Sequence, residues 1–310
     1  MVAQVSNRIK GLIMVITGAT LWGLSGTAAQ VLFQEKQITA EWLVVVRMIL
    51  AGSVLLLFAA YKRMAIFSLW TDIKSVVNLL LFGFVGMLGV QYTYFASIAT
   101  GNAATATLLQ YLAPVYIVIY VMVVQKHRPS KEVTFAILLA LLGTFLLITN
   151  GSTGELKVSL ISVIWGILSG VALAFYTLSS AQMLKKWHSV IVVGWGMVIG
   201  GGGMCFIFPP FPLPSVHWDM ETWLLILFVV VFGTLLAFLL FVESIRYLSP
   251  TESSLLSSVE PLSAVVASIA FLHVPFGLFQ TIGAVCITVT VLLLSQKKER
   301  QSSRSTTSIL

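Results

Sequence analysis

Apolar runs about one bilayer long follow one another along this chain, and they constrain its fold more than any single motif. A helix needs roughly 20 apolar residues to cross the ~30 Å hydrocarbon core of a bilayer. Reading for such runs gives ten spans: 11–32, 42–61, 75–98, 103–124, 132–149, 159–182, 190–208, 222–243, 251–271 and 275–295. The connections are short and leave no room for a soluble domain. Composition agrees, with 58% hydrophobic and only 9% charged residues, where soluble chains are nearer half apolar and a quarter charged. The expected fold class is all-α integral membrane, with ten transmembrane helices. The polar, Ser/Thr-rich tail 296–310 is expected to be disordered and cytoplasmic. Arg8 and Lys10 before the first run imitate a signal peptide with a cut near "TAAQ", but the run is long and similar runs fill the rest of the chain.

Lys and Arg give the direction. With the N-terminus in the cytoplasm, the cytoplasmic segments hold Arg8 and Lys10; Lys62, Arg63 and Lys74; Lys126, Arg128 and Lys131; Lys185 and Lys186; Arg246; and Lys297, Lys298, Arg300 and Arg304. The other side holds only Lys36 and Lys157, and Arg47 lies inside a span. Fifteen against two is a strong positive-inside bias, and a miscounted span would scramble it. Both termini are therefore expected in the cytoplasm, with the chain multi-pass in the cell membrane. The basic residues form no groove and no stacking motif, so nucleic acid is excluded as a partner. Cys205 and Cys286 both fall in apolar runs, and neither a disulfide framework, a metal site nor a cofactor motif is readable.

The chain also repeats itself. "TYFASIATGNAATATLLQYLAP", ending at Pro114, aligns with "LFVESIRYLSPTESSLLSSVEP", ending at Pro261, at a shift of 147 residues. Ser97 then pairs with Ser244, Asn102 with Ser249, and Leu108–Leu109 with Leu255–Leu256. "LWGLSG" from Leu21 is echoed by "IWGILSG" from Ile164. Each half, 11–149 and 159–295, holds five spans, and five is odd, so the second half enters the membrane the opposite way up. Inverted repeats of this kind mark secondary transporters, with the substrate site near the midplane where the halves meet.

The order "WG" in the first span, Arg47 in the second, "TGNAATATLLQYLAPV" across the third and fourth, and "SPTESSLLSSVEPL" in the ninth resembles the drug/metabolite transporter superfamily, EamA type. The resemblance covers nearly the whole chain as two EamA-like halves. It implies a ten-helix carrier of small metabolites, often outward, with a central cavity lined by both halves. The family often places a Glu at the end of the fourth and ninth spans. Those places carry His127 and His273 here, so no role of that Glu carries over.

Ionisable residues inside spans are costly and functional by default, at ~2.5–3.5 kcal/mol for one at a helix centre. Glu260 is the deepest, nine residues into the ninth span, which is roughly 13 Å at 1.5 Å per residue. Ser253, Ser257 and Glu260 share one face. Pro261 cannot donate to the Ser257 carbonyl, which leaves that oxygen to a serine hydroxyl or water. Two readings stay open: a packed kink with Glu260 bonded to a serine, or a group that binds substrate or couples an ion. Arg47 is equally open between snorkelling to the outer headgroups, an ion pair with a carboxylate such as Glu260, and a clamp for an anionic substrate. Glu252 reads as part of a capping box begun by Ser249 and Pro250, and Glu243 as an interfacial partner of Arg246.

The matching fourth span carries Gln110, Tyr111 and Pro114, with Ala113 where the ninth has Glu260. Pro114 and Pro261 are expected as helix kinks. Tyr94 in the third span, Tyr176 in the sixth, and the repeat-related Trp22 and Trp165 complete the candidate site. Ser162, Ser169 and Tyr176 recur every seven residues on one face. The glycines from Gly194 to Gly203 and from Gly166 to Gly170 allow close helix approach, and "GGGG" lacks the Lys-Ser/Thr of a phosphate loop.

The expected activity is secondary transport of a small polar metabolite, amino acid or carboxylate-like, exported by alternating access. Protons are the candidate coupling ion, and a homodimer stays open. No nucleophile–base pair or metal cluster points to an enzyme. A non-transporting receptor or scaffold, or multidrug efflux of hydrophobic cations, is the alternative.

Overall fold

A computed structural model describes residues 2–125, 131–151, 158–211, 213, 215–244, 247–248, 256–257, 259–290 and 293. The described residues form helices and turns and no strand. In chain order the helices are α1 (Val2–Gln34), α2 (Ala40–Tyr61), α3 (Ile73–Leu81), α4 (Gly89–Thr100), α5 (Ala103–Gln110), α6 (Ala113–Gln125) and α7 (Lys131–Thr149). They continue as α8 (Leu160–Met183), α9 (Ser189–Cys205), α10 (Met220–Leu227), α11 (Ala237–Ser244) and α12 (Val259–Leu272). A last apolar helix, α13, runs Leu278–Thr290. Two π-helical stretches, Phe82–Leu88 and Phe228–Leu236, join α3 to α4 and α10 to α11.

Among the described residues, six helical segments are long and apolar enough to span a bilayer, and four apolar stretches, Thr134–Thr149 within α7, Ser189–Cys205, Val259–Leu272 and Leu278–Thr290, are shorter, at 10–17 residues. The shorter ones fall in the fifth, seventh, ninth and tenth expected spans. Two have visible causes. α9 ends at Cys205, ahead of the proline-rich "FIFPPFPLP". The ninth run is cut by a turn at Ser257, so it is not the continuous 251–271 helix expected. The chain exposes Leu57, Val123, Leu141 and Phe271, each more than 60% accessible. A water-soluble fold does not spread large apolar side chains this way, whereas a lipid-facing one must. The chain is a multi-pass membrane protein.

Helix starts follow from the side chains before them. Thr39, Asp72, Asn102 and Asp219 each accept a backbone N–H from the first turn of α2, α3, α5 and α10, which satisfies donors that the helix cannot. The expected cap at Ser249 and Pro250, with Glu252, lies outside the described residues. So do Ser253, His127, Arg246 and the tail from 296.

The closest helix pairings join the early part of the chain to the late part: α2 with α9, α4 with α8, and α1 with α11 and α12. Small residues permit this. A Cβ on Gly200 would stand 2.6 Å from the Gly83 carbonyl, and one on Gly283 would stand 2.6 Å from that of Gly143. Across α4 and α8, Ser97 and Ser162 each donate a hydroxyl to the other's carbonyl at 2.8 Å. Interhelical bonds in membranes average only ~0.6 kcal/mol, so packing supplies the adhesion and these bonds set the register.

Candidate functional site

The three residues of α8 expected on one face turn toward the early half of the chain. Ser162 meets Ser97, Ser169 accepts from Gln110 Nε2 at 2.6 Å, and Tyr176 stacks on Phe82 at 5.2 Å. Above them a cavity of about 1500 Å³ opens between the halves. Arg47, Tyr94, Gln110, Tyr111, Tyr176 and Trp22 line it, as do Ser257 and Glu260. Eight of the nine residues expected at the site thus face one space. Trp165 is not in the lining; its ring packs edge-on against Tyr92 at 5.5 Å. Ser25, Gln91 and Thr234 also line the cavity and went unmarked in the sequence, although each is a polar side chain in an apolar run.

The two proline sites are built as broken helices. α5 ends at Gln110 and α6 begins at Ala113, with a turn at Tyr111–Leu112. Pro114 has no N–H, so the Gln110 carbonyl lacks its i+4 donor and the helix yields one turn earlier. Likewise α12 begins at Val259 after the turn at Ser257. Glu260 therefore sits in the first turn of a half-helix, where backbone N–H groups favour a negative charge, and not in the middle of a continuous span.

The Ser257 carbonyl, orphaned by Pro261, finds a partner that sequence reasoning assigned to serines or water. The Tyr111 hydroxyl lies 2.8 Å from that oxygen and 2.9 Å from Glu260 Oε2. The Glu260 backbone N–H also reaches the Ser257 carbonyl at 2.9 Å. One phenol from the early half thus ties down the break in the late half.

Arg47 is only 5% exposed, so it does not snorkel. Its guanidinium lies 4.4 Å from the ring centre of Phe95, a cation–π contact. Its Nε has no hydrogen-bond partner, and it forms no ion pair among the described residues. The pairing with Glu260 is absent. Tyr94, whose hydroxyl shares a 2.8 Å bond with Thr107, lies within electrostatic reach of both charges. A cation and an acid therefore face one cavity without neutralising each other.

The two ends of the cavity differ. At one end the lining reaches Lys62, His188 and Glu243, with Lys62 and His188 exposed. The other end is shut by contacts between the halves. Lys36 bonds Asp219 at 2.9 Å and also Glu221, while Trp42 donates to the Pro210 carbonyl at 3.0 Å and packs on Trp218. The Thr222 hydroxyl and amide, together with Lys36, hold the Asp219 carboxyl well below the usual carboxylate range. Glu221 and Asp219 in turn raise the Lys36 ammonium. No cluster of His, Cys, Asp or Glu able to hold a metal occurs among the described residues.

Comparison with known proteins agrees with this architecture. The EamA-like transporter family matches residues 9–149 and again 160–296. An uncharacterized inner membrane transporter of Salmonella typhimurium, YicL, is 35% identical over 94% of this chain and 97% of its own length. The uncharacterized transporter YyaM of Bacillus subtilis is 25% identical over 72% of this chain and 74% of its own. A solved crystal structure, 14% identical, shares the fold with a TM-score of 0.58 over 97% of this chain and 99% of that one. With the family matched twice along nearly the full length, the chain belongs to the EamA-like transporter family.

Proposed function

We propose that the chain is a secondary carrier in the cell membrane that moves a small polar metabolite, amino acid or carboxylate-like, outward by alternating access. The observation that carries this reading is the unpaired Arg47 facing the same cavity as Glu260. A buried guanidinium without an anionic partner is costly, and a substrate carboxylate supplies what it lacks with a bidentate, charge-assisted bond. Glu260 suits an ammonium on the same molecule, or a coupling proton. A hydrophobic cation would meet Glu260 and the aromatic lining favourably but Arg47 unfavourably, so multidrug efflux ranks second. A receptor or scaffold is disfavoured because the short connections between the spans carry no soluble domain for signalling.

Two inverted five-helix halves, 11–149 and 159–295, support the rocking motion. The two π-helical stretches fall at the same place in the 147-residue shift, with Gly86 matching Gly233. So do the two broken helices, and α6 and α12 end on matching residues, Gln125 and Leu272. The positive-inside bias puts Lys62 and His188 on the cytoplasmic side, with both termini. The described state then faces inward, where an exporter loads.

The test is counterflow in proteoliposomes loaded in turn with unlabelled amino acids and with carboxylates lacking an amine. Labelled substrate of one class should accumulate transiently against its gradient, and Arg47→Gln should lose that accumulation. If neither class moves under any ion gradient, the carrier reading fails.

A further inference from the structure

The Tyr111 hydroxyl owns one proton and faces two acceptors, the Ser257 carbonyl and the Glu260 carboxyl. Both cannot be served at once while Glu260 is ionised. A carboxylate is the stronger acceptor, because charge-assisted bonds are roughly twice as strong as neutral ones. Ionised Glu260 therefore draws the phenol proton away from the Ser257 carbonyl, which the Glu260 backbone N–H still reaches. Protonated Glu260 is different. Its O–H donates to the Tyr111 oxygen, and the phenol donates onward to Ser257, so every group is satisfied.

We infer that Tyr111 is a positioning residue that converts the protonation state of Glu260 into a choice of partner at the broken ninth helix. The consequence is mechanical as well as chemical. Tyr111 lies at the break between α5 and α6, and Ser257 and Glu260 flank the matching break before α12. The bond thus bridges the two halves at two helix breaks, where a change of partner costs no regular backbone hydrogen bond. A proton arriving at Glu260 ties the halves together through the Ser257 carbonyl, and its departure transfers the tie to a side chain that can swing. The step is a proton transfer between solvent and the Glu260 carboxyl, with no other bond formed or broken.

The groups around Glu260 leave this choice to Tyr111. Tyr94 on α4 acts at a distance, and neither it nor Arg47 on α2 bonds the carboxyl. From α1, the neighbours Gly23 and Trp22 do not titrate. Glu243, His188 and Lys62 lie at the open end of the cavity. On α12, the Ser263 hydroxyl donates to the Glu260 backbone carbonyl at 2.8 Å and not to its side chain.

The inference rests on the carrier reading for its purpose but is tested without any cargo. The full chain in lipid nanodiscs would be titrated between about pH 5 and pH 8 by infrared difference spectroscopy, as wild type, Glu260→Gln and Tyr111→Phe. We expect a protonated-carboxyl C=O band in wild type that Glu260→Gln removes, accompanied by a tyrosine C–O band that shifts with the same midpoint. Tyr111→Phe should abolish that tyrosine shift and move the carboxyl band to higher frequency, because its hydrogen-bond partner is gone. A carboxyl band unmoved by Tyr111→Phe, or a tyrosine band indifferent to the Glu260 titration, would overturn the inference. Unchanged melting of Tyr111→Phe separates loss of the relay from loss of fold. Spectra as expected in a chain that moves no substrate would sink the carrier reading and leave the relay standing.

Discussion

Arg47 puts a full positive charge where the second apolar run would otherwise be unbroken, and among the described residues it finds a ring to stack on but no anion. The partner must come from solvent or substrate. We therefore expect Arg47→Gln to leave folding intact while raising the KM for a carboxylate-bearing substrate at least tenfold, about 1.4 kcal/mol, as read in initial rates of exchange. An unchanged KM would return Arg47 to a structural role. Gly23 makes the opposite kind of demand. A Cβ there would meet the Glu260 carbonyl at 2.6 Å and the Ala264 amide at 2.8 Å, both backbone atoms that cannot rotate aside. Gly23→Ala should cost about 1–3 kcal/mol by overpacking, visible as a lower melting temperature in detergent. Arg47 and Glu260 were legible in the sequence because a charge in an apolar run has no cheap explanation. Tyr111 was legible only as an aromatic in a span, since its two partners lie 146 and 149 residues away. Trp165 shows the limit of repeat logic: its match to Trp22 is real in sequence, but its ring packs against Tyr92 and does not line the cavity.

At the scale of elements, the prolines were legible and the form of the break was not. A proline announces a missing hydrogen bond, but whether the helix bends or stops depends on what takes up the freed carbonyl. Here a phenol from another helix does so, and the chain turns at Ser257 before restarting. Pro261→Ala restores an N–H that can compete with Tyr111 for that carbonyl. Because Pro261 stands in the first turn of α12, where a proline breaks no intrahelical bond, thermal stability should change little, while exchange should slow as the break stiffens. Faster or unchanged exchange would mean that the break is not used in the cycle. The ion pairs at the closed end answer a different question. Asp219 is depressed, so its contribution persists above the ordinary carboxylate range and is lost only as pH falls through its own lower value. Lys36 is raised, so its contribution fails only as pH climbs past its raised value. The closed end should therefore be insensitive to pH between about 5 and 8. Transport that changes across that window in wild type should become flat in Glu260→Gln, and a pH response that survives the substitution would place the titrating group elsewhere.

For the molecule as a whole, the ten apolar runs, the 147-residue echo and the basic bias were readable because each is a pattern repeated many times. The site was readable as a list of residues but not as an arrangement, because the helices that build it pair across the two halves and not along the chain. That cross-pairing makes the closed end informative. Lys36 belongs to the early half and Asp219 to the late one, so a carrier that opens its cavity to the far side must part them. The direct measurement is exchange of a labelled mixture of the common amino acids by a Lys36→Cys, Asp219→Cys chain, with Cys205 and Cys286 replaced by alanine, before and after treatment with a reducible bifunctional thiol reagent. Cross-linking should stop exchange and leave the cavity reachable from the Lys62 and His188 end, and reductant should restore the rate. Exchange that continues undiminished with the two residues joined would contradict alternating access through this cavity.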